Sequence, residues 1–280
     1  MYYSPRFCYS NYITNDDITV STNSDIKTRL IDRNVERKWI STSGDQTATV
    51  TIAINKTIDT IIIQNTNMLD FSVTYNSGSQ FNPEVSDENS SQEAFTIVDE
   101  DNNYLIDNSG NYVVSAGVAT RVLNNFYFKV DSVGVTSVTL QINSTVDGAA
   151  VKIGQFIVTK QVYQLVGGGS MDVNPSVKQF TKELSDGGVS KVYVRSTNDY
   201  DVKIVNSSNQ ERYNLLQIYD INKRDAFIFV PRPAMFTDYW DGLGDHVNWI
   251  NAFEFANPYN QIIENGWTGK IKLKQSSGIR

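Results

Sequence analysis

Cysteine and histidine are almost missing from this chain: of 280 residues, Cys8 is the single cysteine and His246 the single histidine. One thiol forms no internal disulfide, so the fold rests on its apolar core alone. A zinc centre of the usual cysteine and histidine type has too few ligands, and there is no H-E-x-x-H pair. Cys8 has only His246 to serve as a base, which makes it a poor nucleophile. Long apolar runs are absent too. The richest, "TIIIQ", is far below the roughly 18 residues that span a bilayer, so no membrane partner is expected. An excess of basic residues is also lacking: 24 Lys and Arg stand against 31 Asp and Glu, for a net charge of -7. That balance excludes a surface built to coat nucleic acid.

The opening "MYYSPRFCYSNY" has no basic segment followed by an apolar one, so no secretory leader is read there. Synthesis in a reducing cytosol is the expectation, with later release inside a particle compatible with it. The sequons at Asn55, Asn89, Asn143 and Asn206 are then chance matches. Catalytic motifs are missing as well. Neither a Walker loop nor a G-x-S-x-G elbow occurs, and "GGGS" lacks the following lysine that phosphate cradling needs. Among 31 acidic residues no pair is singled out for glycoside hydrolysis. Neither an enzyme nor a cofactor is expected. The nearest approach to a metal site is "DEDNNYLIDNSG", where Asp99, Asp101 and Asn103 take positions one, three and five of a calcium loop. Tyr104 stands where that loop needs glycine and Gly110 where it needs a bidentate glutamate. A solvated acidic turn is the preferred reading, with a weak calcium site at those three residues as the alternative.

What the chain does contain is alternation of period two. In "TATVTIAI", Val50, Ile52 and Ile54 face one way while Thr47, Thr49 and Thr51 face the other, as a half-buried strand requires. "DTIIIQN" is a continuous apolar run, suited to a strand covered on both faces. "FSVTY", "AFTIVD", "NYVVSA", "FYFKVD", "TSVTLQIN" and "KIGQFIVTK" complete a set of eight candidate strands separated by turn residues. They predict an antiparallel β-sandwich over residues 1–165, with a flexible N-terminal segment included in that span. "LVGGGSMDVNPS" then suits a hinge or linker. Beyond it, "SKVYVRS", "YDVKIVN", "DAFIFVPRP", "NWINAFEFANP" and "GKIKLKQ" predict a smaller β-rich domain over residues 166–280. Its one helix is expected near residues 209–220, where Ser208 and Glu211 form an S-x-x-E capping box ahead of Leu215, Ile218 and Tyr219. The fold class is mainly β.

Two surface features remain. "FTDYWDGLGDHVNW" sets Phe236, Tyr239, Trp240 and Trp249 among Asp238, Asp241 and Asp245. Such rings suit a second core or a protein interface, with sugar stacking behind both. "GKIKLKQ" puts Lys270, Lys272 and Lys274 on one face and Ile271 and Leu273 on the other. On a terminal edge strand that row guards against edge-to-edge pairing, or it meets an acidic neighbour in an assembly.

"LIDRNVERKWIS", Leu30 to Ser41, holds five charged side chains and ends in Trp39. With the strands that follow, it resembles the start of discoidin-like (coagulation factor 5/8 type C) jelly rolls, whose "D-x-N-x-x-T-x-W" loop carries its tryptophan into the sandwich mouth. Asp32, Asn34 and Trp39 match; the threonine is missing, and residues 35–38 depart from the pattern. The resemblance implies that Trp39 plugs one end of the sandwich while the charged loop lies over it as a lid. "TIIIQNTNMLDFSVTY", with Asn65, Asn67, Phe71, Val73 and Tyr75, is similar to a variant in structural proteins of tailed bacteriophages. "LQINSTVDGAAVKIGQFIVTKQVYQL" and "DAFIFVPRPAMF" resemble further segments of those proteins.

These patches imply a non-enzymatic virion component of the tail, neck or adaptor ring, made in the host cytoplasm. Its expected partners are other virion proteins and copies of itself. Interface candidates are Tyr2, Tyr3 and Phe7, Tyr239 and Trp240, and Lys270, Lys272 and Lys274. The rival expectation is a carbohydrate-binding module, or a host-receptor-binding virion protein, that holds a glycan at the sandwich loops. That surface would include Arg33, Arg37 and Lys38, together with the Asp99–Asp101 loop.

Overall fold

The computed structural model describes residues 5–76, 79–80, 125–146, 148–165, 170–183, 189–231, 244–257 and 265–276. In chain order the strands of the first half are β1 (Arg6–Cys8), β2 (Ile18–Val20), β3 (Trp39–Ile40), β4 (Ala48–Ile52), β5 (Lys56–Gln64), β6 (Met68–Tyr75), β7 (Ser79–Gln80), β8 (Phe126–Val135), β9 (Val138–Thr145), β10 (Lys152–Ile153), β11 (Gln155–Thr159) and β12 (Gln161–Gln164). The second half carries β13 (Ser170–Glu183), β14 (Val189–Ser208), helix α1 (Asn209–Asn222), β15 (Phe227–Val230), β16 (Asp245–Trp249), β17 (Phe255–Ala256) and β18 (Asn265–Gln275). The chain is mainly β: an antiparallel jelly-roll sandwich, the class implied by the discoidin-like resemblance, followed by a smaller β-rich unit with one α-helix.

The sandwich faces a five-stranded sheet, ordered β2-β4-β9-β6-β7, against a three-stranded one, β11-β5-β8. Alternation decides which side chains enter. In β4, Ala48, Val50 and Ile52 are buried while Thr49 and Thr51 are partly exposed. They pack with Leu140 and Ile142 of β9 and with Phe126 and Phe128 of β8. The continuous run in β5 is buried on both faces, as its composition predicts. Ile61 and Ile63 enter the sandwich core, and Ile62 between them enters a separate cluster with Cys8, Tyr127, Ile157, Ile228 and Val230. That cluster is the seam between the three-stranded sheet and the second unit.

The second unit is built on an eight-stranded sheet ordered β12-β1-β15-β16-β18-β14-β13, with β17 on β18. Helix α1 covers one face through Leu215 and Ile218, which pack with Tyr200, Val202, Phe227, Phe229, Ile271 and Leu273. Its start follows the predicted capping box: the Glu211 amide donates to Ser208 Oγ at 3.2 Å, and the Ser208 amide donates to Glu211 Oε2 at 2.6 Å. Replacing Ser208 with alanine is therefore expected to cost about 1 kcal/mol, read as a lower urea midpoint at an unchanged slope.

Four expectations are corrected. The N-terminal segment is not a free extension from Arg6 on: β1 pairs with β12 and β15, and Phe7 is 0% exposed between Tyr163, Phe227 and Phe229. Phe7 is thus a core residue rather than an interface anchor; three residues are too short a strand for alternation to register. β18 is not an edge. It lies between β16 and β14, and the lysine row belongs to the open face of an inner strand. Ser170–Ser176, read as linker, is the start of β13, whose outermost position lets Pro175 omit an amide hydrogen bond. "SKVYVRS" and "YDVKIVN" are parts of the single 20-residue strand β14. "AFTIVD", "NYVVSA" and the glycine run at 166–169 lie outside the described residues.

Candidate functional site

Three features of the fold bear on function: the lid over the sandwich mouth, the seam it leads to, and the open side of the second sheet. A 3-10 helix, Ser24–Leu30, leads into the lid and buries Leu30. The lid then turns on its own polar side chains: Asp32 Oδ1 accepts from the Asn34 amide at 3.0 Å, and Asn34 Oδ1 from the Glu36 amide at 3.2 Å. Such short side chains substitute for a regular backbone ladder in tight turns. Arg33 has a left-handed backbone, φ +64°. This conformation is costly outside glycine and persists only where surroundings hold it. Here the Asp225 carboxylate holds it, 2.7 Å from Arg33 Nη2.

The far side of the lid is clamped to the sandwich. Asn65 Nδ2 donates to the Val35 carbonyl at 2.8 Å, and a Cβ on Gly154 would overlap that same carbonyl. Trp39 is 0% exposed within the sandwich core, its Nε1 donating to the Asn23 carbonyl at 3.2 Å. The charged residues lie on the lid and the tryptophan beneath it. Burial raises the Asp32 carboxyl above its ordinary range, opposed by the Asn34 amide, Arg37 and Arg29.

From Arg33 the lid reaches the seam. Gln64 Nε2 donates to the Gly244 carbonyl at 3.1 Å, and Gly244 lies so close to Ile62 that a Cβ would stand 2.5 Å from its Cδ1. Arg6 donates to the Tyr127 hydroxyl and lies over that ring. Asp59 pairs with Lys129 at 2.8 Å and accepts from the Gln161 amide. His246 is 5% exposed, and neither ring nitrogen has a hydrogen-bond partner. Burial and, after it, the nearby Arg33 charge push its pKa down to about 3, with Asp225 pulling the other way. Burial pushes the Cys8 thiol up to about 12. Near neutral pH Cys8 stays a thiol rather than a thiolate, and His246 is a neutral, weakly basic imidazole. Among the described residues no group of three or more His, Cys, Asp or Glu is placed to hold a metal. Asp99, Asp101 and Asn103 lie outside the described residues, as do Tyr2, Tyr3, Tyr239 and Trp240.

Arg33 is committed to Asp225, which leaves Arg37, 48% exposed at its side chain and 3.8 Å from the Asp32 carboxylate, and the half-buried Lys38 as the lid's remaining cations. Lys270, Lys272 and Lys274 are exposed on the face of the second sheet opposite α1. Their cross-strand neighbours on β14 are Lys203, Asp201 and Asp199, and beyond these on β13 come Ser170, Asp172 and Asn174. Asp199, Asp201 and Lys203 alternate in the sequence as "DYDVK", but their place beside the lysines of β18 depended on strand order. The β13–β14 pairing also runs well beyond the sheet. It extends from Ser170↔Lys203 to Glu183↔Val189, whereas β18 joins β14 only from Asp199 onward. The ten residues Val189–Asn198 thus pair with β13 alone among the described residues, a two-stranded arm roughly 30 Å long.

No protein-family model and no curated protein matches the chain. Several solved structures are similar over about half of the chain. A chitosan-binding module from a chitosanase/glucanase of Paenibacillus sp. IK-5 matches with a TM-score of 0.34 and 9% identity, over 55% of this chain and 98% of the module. A GH29 fucosidase of Ruminococcus gnavus matches with a TM-score of 0.35 and 14% identity, over 54% of this chain but 27% of the fucosidase. CpGH89CBM32-4 of Clostridium perfringens gives 0.32 and 14% identity, over 54% of this chain and 98% of that one. None of these three is a virion protein. At such scores they carry no conclusion about this chain, whose sandwich rests on its own strand pairing.

Proposed function

We propose that the chain is a non-enzymatic assembly protein, and more finely a tail, neck or adaptor component of a tailed-phage virion. The observation that carries the assembly reading is the β13–β14 arm. A two-stranded ribbon is marginal in water by itself, and a third strand or a covering surface is what gives it independent stability. An arm this long beyond its sheet therefore suits packing against another subunit. The virion reading rests on the resemblance of the sequence patches. Replacing 177–194 with a short turn should leave the two cores folded and remove the protein from density-gradient-purified particles, read by peptide mass spectrometry. Particles that retain the shortened protein at full stoichiometry would sink the arm's role, and particles that lack the intact protein would sink the virion reading.

Glycan binding is the second reading. The observation that favours it is that Arg37 is exposed on the lid, beside the exposed polar side chains of Asn34 and Glu36. A glycan array decides it: retention of the intact protein that is lost in an Arg37→Ala/Lys38→Ala variant supports a lectin, and an array without signal removes the reading.

A further inference from the structure

The open part of the second sheet carries two like-charge pairs across its strands. Lys203 of β14 stands directly opposite Lys270 of β18, and two residues along, Asp201 of β14 stands directly opposite Asp172 of β13. Like charges placed opposite each other across strands destabilise a sheet. Here two such pairs of opposite sign lie side by side. Lys203, Lys270 and Asp172 are exposed and Asp201 is partly so. None of the four makes an ion pair among the described residues; Asp201 accepts only a 3.3 Å hydrogen bond from Asn174. Elsewhere on these three strands the face obeys the ordinary rule, with Lys272 opposite Asp201 and Lys274 opposite Asp199, while toward β1 and β15 the same face is covered at the seam by Ile62 and Tyr127. The buried face obeys it too: Tyr200, Val202, Ile204, Ile271 and Leu273 are apolar and covered.

We infer that this face is a self-complementary contact between two copies of the chain, with Lys203 and Lys270 of each copy seated on Asp172 and Asp201 of the other. The geometry permits it. The two pairs are separated by one strand spacing across the sheet and about 7 Å along it. A two-fold axis in the plane between two facing sheets, crossing the midpoint of the line joining the pairs, places each basic pair over an acidic one. Such a contact is isologous, and each operation of the axis satisfies both pairs at once. Removal from water strengthens both attractions, and the cost carried by the single sheet is returned on association. The inference rests on the assembly reading and names the partner at this face as a second copy.

The test exchanges charge between copies. A Lys203→Glu/Lys270→Glu variant and an Asp172→Lys/Asp201→Lys variant change surface positions only, and circular dichroism checks that each is folded. Sedimentation velocity on the intact chain is expected to show a dimer that weakens with added salt. Each variant alone should associate at least about tenfold more weakly, since like-charge contacts across an interface cost several kcal/mol. An equimolar mixture should recover association to within about threefold of the unmodified chain, because every contact is again between opposite charges. If each variant alone associates as well as the unmodified chain, the face assignment is overturned and the assembly reading stands on the arm. If the unmodified chain stays monomeric at about 100 µM and yet enters particles, this face is likewise overturned, and the arm remains.

Discussion

Replacing Trp39 with alanine is expected to lower the unfolding free energy by about 3–5 kcal/mol, the cost of emptying a fully buried indole site in a core that relaxes only in part. The side chain is 0% exposed and packs in the largest apolar cluster of the molecule. Its Nε1 also satisfies the Asn23 carbonyl, which sits at a left-handed residue leading into the 3-10 helix before the lid. Alanine therefore both opens a cavity and leaves the Asn23 carbonyl with only the long 3.4 Å hydrogen bond from the Ile26 amide. Phenylalanine at the same position keeps most of the ring volume and loses only the hydrogen bond, so its loss should be clearly smaller. Urea unfolding of the three proteins measures this directly. An alanine variant with an unchanged midpoint would mean that the sandwich mouth does not depend on its plug.

The second large effect is on acid stability and centres on His246. Its folded pKa, about 3, lies below the ordinary imidazole value of 6.5. Between those values the unfolded chain holds a proton that the folded chain refuses, so stability is complete above about pH 6.5 and falls as pH drops toward 3. The slope is roughly 1 kcal/mol per pH unit, several in all. The Arg33 guanidinium reinforces burial, because a second positive charge beside it is unwelcome, and Asp225 offsets part of that. Urea unfolding at pH 7.5, 6.5 and 5.5 should show the decline before most carboxylates titrate. A His246→Leu variant should flatten it over that range. Equal slopes in the two proteins would show that the ring is hydrated and titrates normally.

The parts of the fold visible in the sequence were those written in local alternation. β4 and β9 show their buried and exposed residues in turn, and the capping box of α1 announces the helix three residues ahead of its first full turn. β18 shows why alternation stops short of topology: "KIKLK" reads the same on an edge strand and on the open face of an inner one. The arm was concealed by composition, since glycine, serine and proline before Val177 suggest a hinge wherever no partner strand is in view. Of the lid, Trp39 and its polar turn were legible because they sit within one short motif. The Arg33–Asp225 pair was not, because its members are far apart in sequence and meet only when the two units dock. The charge pattern on the open sheet face belongs to the same class of information: each column is written in its own strand, and their juxtaposition is not written at all.

The position of β1 has a consequence for how the molecule comes into being. Three residues near the start of the chain are stitched between β12 and β15, and Phe7 meets Phe229 roughly two hundred residues later. During synthesis the sandwich can close around its own core while β1 has only β12, and not yet β15, to join. The second sheet becomes complete only after β15, β16 and β18 have followed, and the β1–β15 pairing is a high-contact-order closure that draws Arg6–Cys8 to the far half of the chain. A piece starting after the glycine run would lack the strand that shields Phe227 and Phe229. The two units are distinct as cores but inseparable as folding problems.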